Sequence, residues 1–216
     1  MIQLPFKCLL SLLSITFLFA INSNAQDSIS SVKMPVYLSG SFFYDFPQSF
    51  GASAGIEFPI SNKVINETYR NGKKKVKYRD LILTSNIGMY NYRYNNSGIY
   101  FFQSIGKRSH KEKPFYFEWL IRFGVLRTIY DGQVYSVDNN GNVKILPGFG
   151  RYYAVTGLAT VFGHDFERSK IPKPFALDIK PSVWVQYPYN SFVLPHFSVE
   201  VSFKYHFHSL NMHLKT

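Results

Sequence analysis

His196, Ser198 and Glu200 stand at alternate positions near the C-terminal end of the chain. An imidazole, a hydroxyl and a carboxylate are the parts of a nucleophile, its base and its orienting group. On an extended strand, alternate side chains leave the same face about 7 Å apart, so the trio shares one surface. That arrangement allows hydrolytic chemistry, and it equally suits three polar groups in the interior of a closing strand. A second set of charges recurs on the polar sides of other alternating runs: Glu57, Asp80, Glu118 and Asp178, with Arg122, Lys180 and Lys204. A third is the basic segment Arg70, Lys73, Lys74, Lys75 and Lys77, a candidate for lipid headgroups and other anions. His206, His208 and His213 cluster further on, but no cysteine or acidic motif accompanies them. No metal and no cofactor is expected, and neither a phosphate-cradling glycine loop nor a paired-carboxylate glycosidase motif stands out.

The elements that would position these residues are strands. From His196 to Phe207 the pattern alternates without a break: Phe197, Val199, Val201, Phe203, Tyr205 and Phe207 against His196, Ser198, Glu200, Ser202, Lys204 and His206. A period of two is the signature of a pleated strand. Its length is that of a strand crossing a bilayer, about 9–11 residues, rather than the five or six of an ordinary sheet. Seven earlier runs follow at residues 35–44, 50–60, 79–92, 98–106, 115–128, 151–163 and 175–187. The faces of the aromatic fourth run and of the sixth, rich in small residues, are not assigned by pattern. Pro181 falls on the apolar face of the seventh run, where proline predicts a local irregularity. Asn71-Gly72 marks a hairpin turn within a basic ribbon, and Asn139-Asn140-Gly141-Asn142 a turn in the longest connection, residues 130–150.

The N-terminal segment reads separately. Lys7, an apolar stretch from Cys8 to Ile21 and the small-residue site Ser23-Asn24-Ala25 predict a signal peptide over residues 1–25. The barrel then covers residues 26–216, with 208–216 as a C-terminal tail. Cys8 is the only cysteine, so the mature chain has no thiol chemistry. Removing Lys7 lowers the net charge from +11 to +10. Phe, Tyr and Trp make up 18% of the chain, and many sit at the ends of the alternating runs, as girdles at two membrane interfaces would. A soluble sandwich has little use for so many outward rings.

The signal peptide, the eight runs and the terminal strand together resemble the small outer-membrane β-barrel proteins of Gram-negative bacteria. Members end in an assembly signal of a polar residue, a small one and two alternate aromatics, which Glu200, Ser202, Tyr205 and Phe207 match, with serine where glycine is usual. The resemblance implies an all-β fold: a closed antiparallel up-and-down transmembrane barrel of eight strands in the cell outer membrane. It also implies recognition by the barrel assembly machinery. Some outer-membrane lipid A deacylases show a His-x-Ser pair on a strand and a glutamate elsewhere, although their site faces lipid and their flanking motif residues are absent here.

In such a barrel Glu57, Asp80, Glu118, Arg122, Asp178, Lys180, Glu200 and Lys204 face inward and form a salt-bridged plug, because an eight-stranded interior is just filled by side chains and charges facing lipid are costly. The expected role is structural, adhesive or surface-interactive in a porin-like envelope protein. Its partners would be outer-membrane lipids and lipopolysaccharide, with an extracellular partner for the 130–150 loop. A monomer without nucleic-acid binding is expected. The alternatives are a lipid A-modifying hydrolase using His196, Ser198 and Glu200, a narrow channel or small-solute transporter, and a soluble periplasmic binding protein.

Overall fold

A computed structural model describes residues 31–46, 49–68, 74–93, 95–138, 140–146, 148–189 and 192–213. The signal-peptide segment, Asn71, Gly72 and Asn139 lie outside them. The strands are β1 (Ser31–Phe46), β2 (Ser49–Thr68), β3 (Lys74–Tyr92), β4 (Asn96–His110), β5 (Phe115–Tyr130), the short β6 (Tyr135–Val137) and β7 (Val143–Ile145), then β8 (Gly150–Asp165), β9 (Phe175–Tyr189) and β10 (Phe192–His213). All but β6 and β7 form one closed antiparallel barrel, each strand beside its successor and β10 paired back onto β1. Among the described residues no helix is long and apolar enough to cross a membrane.

Register fixes the barrel's shape. Lateral partners run from Tyr37 through Glu57, Thr84, Ser104, Arg122, Gly157 and Trp184 to His196. His196 lies one residue before Phe197, the partner of Phe46, so the circuit returns to β1 at position 47. A stagger of ten residues, from 37 to 47, across eight strands tilts them by roughly 40°. On β5 the outward side chains from Phe115 to Val125 are all apolar, and at that tilt they cover about 25 Å of height, the apolar band of a membrane barrel. Exposed rings rim both edges of the band: Phe42, Phe50 and Tyr187 at one end, Phe115, Phe162 and Tyr205 at the end that holds Ser31 and His213. Within the band the outward polar pair Gln103 and Ser85 bond each other at 3.0 Å.

The strands exceed the runs that foretold them. β10 does not end at Phe207: it continues to His213, because Ser31–Pro35 of β1 supply partners for Ser209–His213. The expected tail over 208–216 is therefore strand through His213. Tyr37 pairs with His206 and Val36 with His208, leaving Phe207 in a bulge. The fourth run extends to His110 and shows Tyr100, Phe102, Ser104, Arg108 and His110 inside; the sixth turns Tyr153, Val155, Ala159 and Val161 inward. Both runs are apolar on two faces, which is why pattern alone left them open. At Pro181 the register holds, but pairing with β8 lapses between Ala159↔Ser182 and Phe162↔Ile179. Proline has no N–H to give that ladder. A groove of about 360 Å³ opens on the outer face there, between Leu158, Pro181, Val183 and Val199.

Four inward rings lie on glycines directly across the ladder: Phe43 on Gly51, Tyr90 on Gly98, Tyr100 on Gly88 and Tyr116 on Gly163. A Cβ at Gly163 would collide with both the Tyr116 ring and the Asp178 carboxylate. Gly163→Val is expected to destabilise the detergent-folded barrel by about 1–3 kcal/mol, measured by urea unfolding followed through tryptophan fluorescence. An unchanged midpoint would show that the ring is not held there.

Candidate functional site

Alternation gathers the chain's buried charges along the barrel axis. Toward the Ser31/His213 end, Arg108 of β4 lies between Glu57 of β2 and Glu118 of β5; its Nε donates to Glu118 Oε1 at 2.6 Å and its Nη2 to Glu57 Oε1. Lys204 of β10 reaches Glu57 at 2.6 Å, Asp178 at 2.6 Å and Glu118 at 3.7 Å. The Tyr116 hydroxyl donates to Asp178, and the Tyr116 ring lies 4.5 Å from the Arg108 guanidinium. One storey along, Glu200 accepts from Ser41 at 2.7 Å, Lys180 at 3.0 Å and Ser202 at 3.2 Å, and pairs with Arg122 at 3.6 Å. Arg122 also donates to Ser182 at 3.3 Å and lies 4.5 Å over the Phe102 ring. Four carboxylates, Glu57, Glu118, Asp178 and Glu200, thus meet four cations, Arg108, Arg122, Lys180 and Lys204.

Seven of the eight expected lumen charges join this network. Asp80 does not: it is buried apart, accepting from Asn62 at 2.5 Å and lying 3.0 Å from His110 Nε2. Arg108 takes its place in the balance, although the sequence pattern missed it. The fourth run, residues 98–106, stops short of Arg108 and has no face assigned by pattern, so nothing in it marks Arg108 or His110 as inward. Nor is the plug polar throughout. Tyr90, Tyr100, Phe102, Leu126, Tyr153, Val155 and Trp184 form an inward cluster toward the opposite end. Beside it Trp184 stacks on His196 at 3.7 Å, nearly parallel at 4°. Within that cluster the Tyr90 and Tyr100 rings lie over Gly98 and Gly88.

The trio His196, Ser198 and Glu200 shares a face but makes no relay. His196 Nδ1 lies 2.7 Å from Asp45 Oδ2, and its Nε2 3.2 Å from Gln186 Oε1. Ser198 bonds Ser182 at 2.7 Å. Asp45 lay one residue beyond the first run as read, so this partner of His196 went unseen. A lumenal cavity lined by Glu57, Thr84, Glu118, Lys180 and Lys204 has a volume of about 10 Å³, roughly one water. Among the described residues no three His, Cys, Asp or Glu side chains form a metal-holding group; His206 instead lies 3.1 Å from Glu167 and 2.9 Å from Ser209. The side chains of His208 and His213 lie outside the description.

Of the basic segment, Arg70 and Lys73 lie outside the described residues, as does the Lys74 side chain, while Lys75 and Lys77 are half-buried on the ribbon of β2 and β3. In the terminal motif, Glu200 and Ser202 are lumenal while Tyr205 and Phe207 are exposed outside. At the opposite end β6 and β7 make a hairpin whose directly opposed pairs Tyr135↔Ile145 and Val137↔Val143 share one face, and all four are exposed. Its turn contains Gly141 at φ 81°. Asp138 Oδ1 accepts from the backbone N–H groups of Asn140 and Asn142 at 2.9 Å each, and Oδ2 from the Asn142 amide at 3.0 Å.

Closed, up-and-down, apolar outside and ionic within, the chain is a transmembrane-type β-barrel of eight strands. Solved structures of similar arrangement include Neisserial surface protein A (TM-score 0.44, 13% identity, covering 82% of this chain and 99% of that one). Others are the N-terminal β-barrel domain of Pseudomonas aeruginosa OprF (0.41, 11%, 81% and 100%) and the β-domain of the Bordetella autotransporter BrkA (0.35, 10%, 81% and 99%). No protein-family profile and no curated protein matches the sequence.

Arg108→Ala leaves two buried carboxylates short of a partner and is expected to cost about 3–5 kcal/mol in urea unfolding; a loss below ~1 kcal/mol would make the network incidental. In the hairpin, the Asn142 amide and the backbone N–H groups of Asn142 and Asn140 hold the Asp138 carboxyl below its ordinary range. A depressed pKa supports the turn at pH above the usual carboxylate value and withdraws that support as pH falls through Asp138's own lower value. The Asn142 amide resonance should therefore hold its position from neutral pH to about 4 and shift only below it.

Proposed function

We propose that this protein is an outer-membrane barrel with a sealed lumen, which anchors and displays its 131–149 connection at the cell surface. The observation that carries this reading is the inversion of an ordinary soluble fold. Phe, Ile, Val and Leu side chains face outward over about 25 Å of height, while four carboxyl groups and four basic groups are buried against one another at the axis. Water outside would penalise such a surface, and hydrocarbon rewards it.

The filled bore favours a structural or interactive role over transport. The cavity beside Glu57 and Lys204 holds about 10 Å³, room for roughly one water. The occupied nitrogens of His196 favour the same role over hydrolysis, because that ring has no free position with which to activate Ser198. The apolar face of the β6–β7 hairpin, exposed beyond the barrel wall, supports a protein-binding role for that connection.

The purified protein should migrate faster unheated than boiled on a semi-native gel, remain with membranes through carbonate washing, and show no steady conductance in planar bilayers. Protease added to intact cells should cut within residues 131–149. Release by carbonate would overturn the membrane reading, and steady conductance would overturn the sealed lumen. Ser198→Ala should leave the lipid A acylation profile unchanged; an altered profile would restore the hydrolase.

A further inference from the structure

On the outer face of β2, β3 and β4, a row of cations stands at the edge of the apolar band. Lys63 of β2 lies directly opposite Arg79 of β3. Lys107 of β4 is opposite Leu81 and so diagonal to Arg79. All three are exposed and outward-facing. Directly opposed like charges on adjacent strands repel, with Cβ atoms about 5 Å apart, so this register costs stability unless an anion lies between them. Among the described residues no carboxylate pairs with any of the three, whereas the lumenal cations are each ion-paired and Arg168 is held by Asp165 at 3.1 Å.

Their height completes the argument. Leu83 and Leu81 are outward on β3, and Arg79 is the next outward residue toward the Ser31/His213 end. The charge therefore begins where the greasy surface of that strand stops. Lys107, the ladder partner of Trp119, extends over that outward indole, 6.0 Å from its centroid. The pair stands inside the rim set by Phe115, and the lysine's four-carbon stem lets its ammonium reach toward the band's edge. A guanidinium fork flanked by two ammonium groups, at the boundary of hydrocarbon and water, suits a phosphate whose acyl chains lie along the band.

We infer that Lys63, Arg79 and Lys107 form a binding site for the phosphate of an anionic lipid, which rests on the reading of this chain as a membrane barrel. Lys63 stands where β2, past its last β1 partner Glu57, pairs only with β3, and the site uses none of Arg70, Lys73, Lys74, Lys75 or Lys77.

The test is native mass spectrometry of the full protein released from phosphatidylcholine nanodiscs that carry a minor fraction of phosphatidylglycerol or of lipid A. Wild-type protein should retain an anionic lipid, and the arm in which it does so names the source. The variant K63Q/R79Q/K107Q should lose about tenfold or more of that retention, since each basic group near an anionic surface contributes severalfold. Lys144→Gln, on the hairpin at the other end, should lose none. Equal retention by wild type and the triple variant, or none by wild type, overturns the site. Displacement of the lipid by inorganic phosphate would also overturn it, by making the pocket one for a free anion. Heat-modifiable migration and incorporation into nanodiscs are read on the same samples. Failure there removes the membrane barrel itself, a different result from failure of the lipid site.

Discussion

The structure depends on a charge balance across the bore. Glu57, Glu118 and Asp178 crowd one storey, and only Arg108 and Lys204 together make that tolerable. Taking so many ions out of water is expensive, and their attraction repays the cost only when every partner is in place. The partners come from β2, β4, β5, β9 and β10, so no hairpin can satisfy them alone. The ions therefore specify closure: an open or misregistered sheet would leave a carboxylate or a guanidinium stranded.

On the proposed reading, recognition falls to the surface. The axis is occupied by interlocked ion pairs and by rings lying on glycines. What remains for recognition is the wall, its two edges and the long connection between β5 and β8. The wall is apolar, its edges carry exposed rings, and the β6–β7 hairpin offers an apolar face beyond both. A rigid, filled cylinder is a suitable base for such a hairpin, since its ends Tyr130 and Gly150 are set by neighbouring strands of the barrel.

Much of the fold was legible because one face of nearly every strand meets hydrocarbon. That requirement imposes a period of two at Phe115–Val125 and at Phe197–Phe207, and the polar face follows by subtraction. Legibility failed where the inner face is apolar as well, at Tyr100, Phe102, Tyr153 and Val155, because alternation then carries no contrast. Arg108 was lost for that reason, its strand having no assigned phase. Asp45 was lost because a strand's end is the least marked part of its pattern. The His196-x-Ser198-x-Glu200 spacing puts three side chains on one face of a strand, but one-dimensional spacing does not say which neighbouring strand supplies the partners. Asp45 and Gln186 come from the strands on either side of β10, and they decide what His196 does.

The lapse in pairing beside Pro181 leaves the cylinder with a seam. Where two rungs are missing between β8 and β9, backbone bonding no longer resists shear, and the load passes to side chains. Arg122 of β5 spans β8 to reach Ser182 of β9 at 3.3 Å and Glu200 of β10 at 3.6 Å. The two links act as struts across the joint from inside, behind the groove that opens outside it. The staves of this barrel are thus held at this joint by a hoop of side chains.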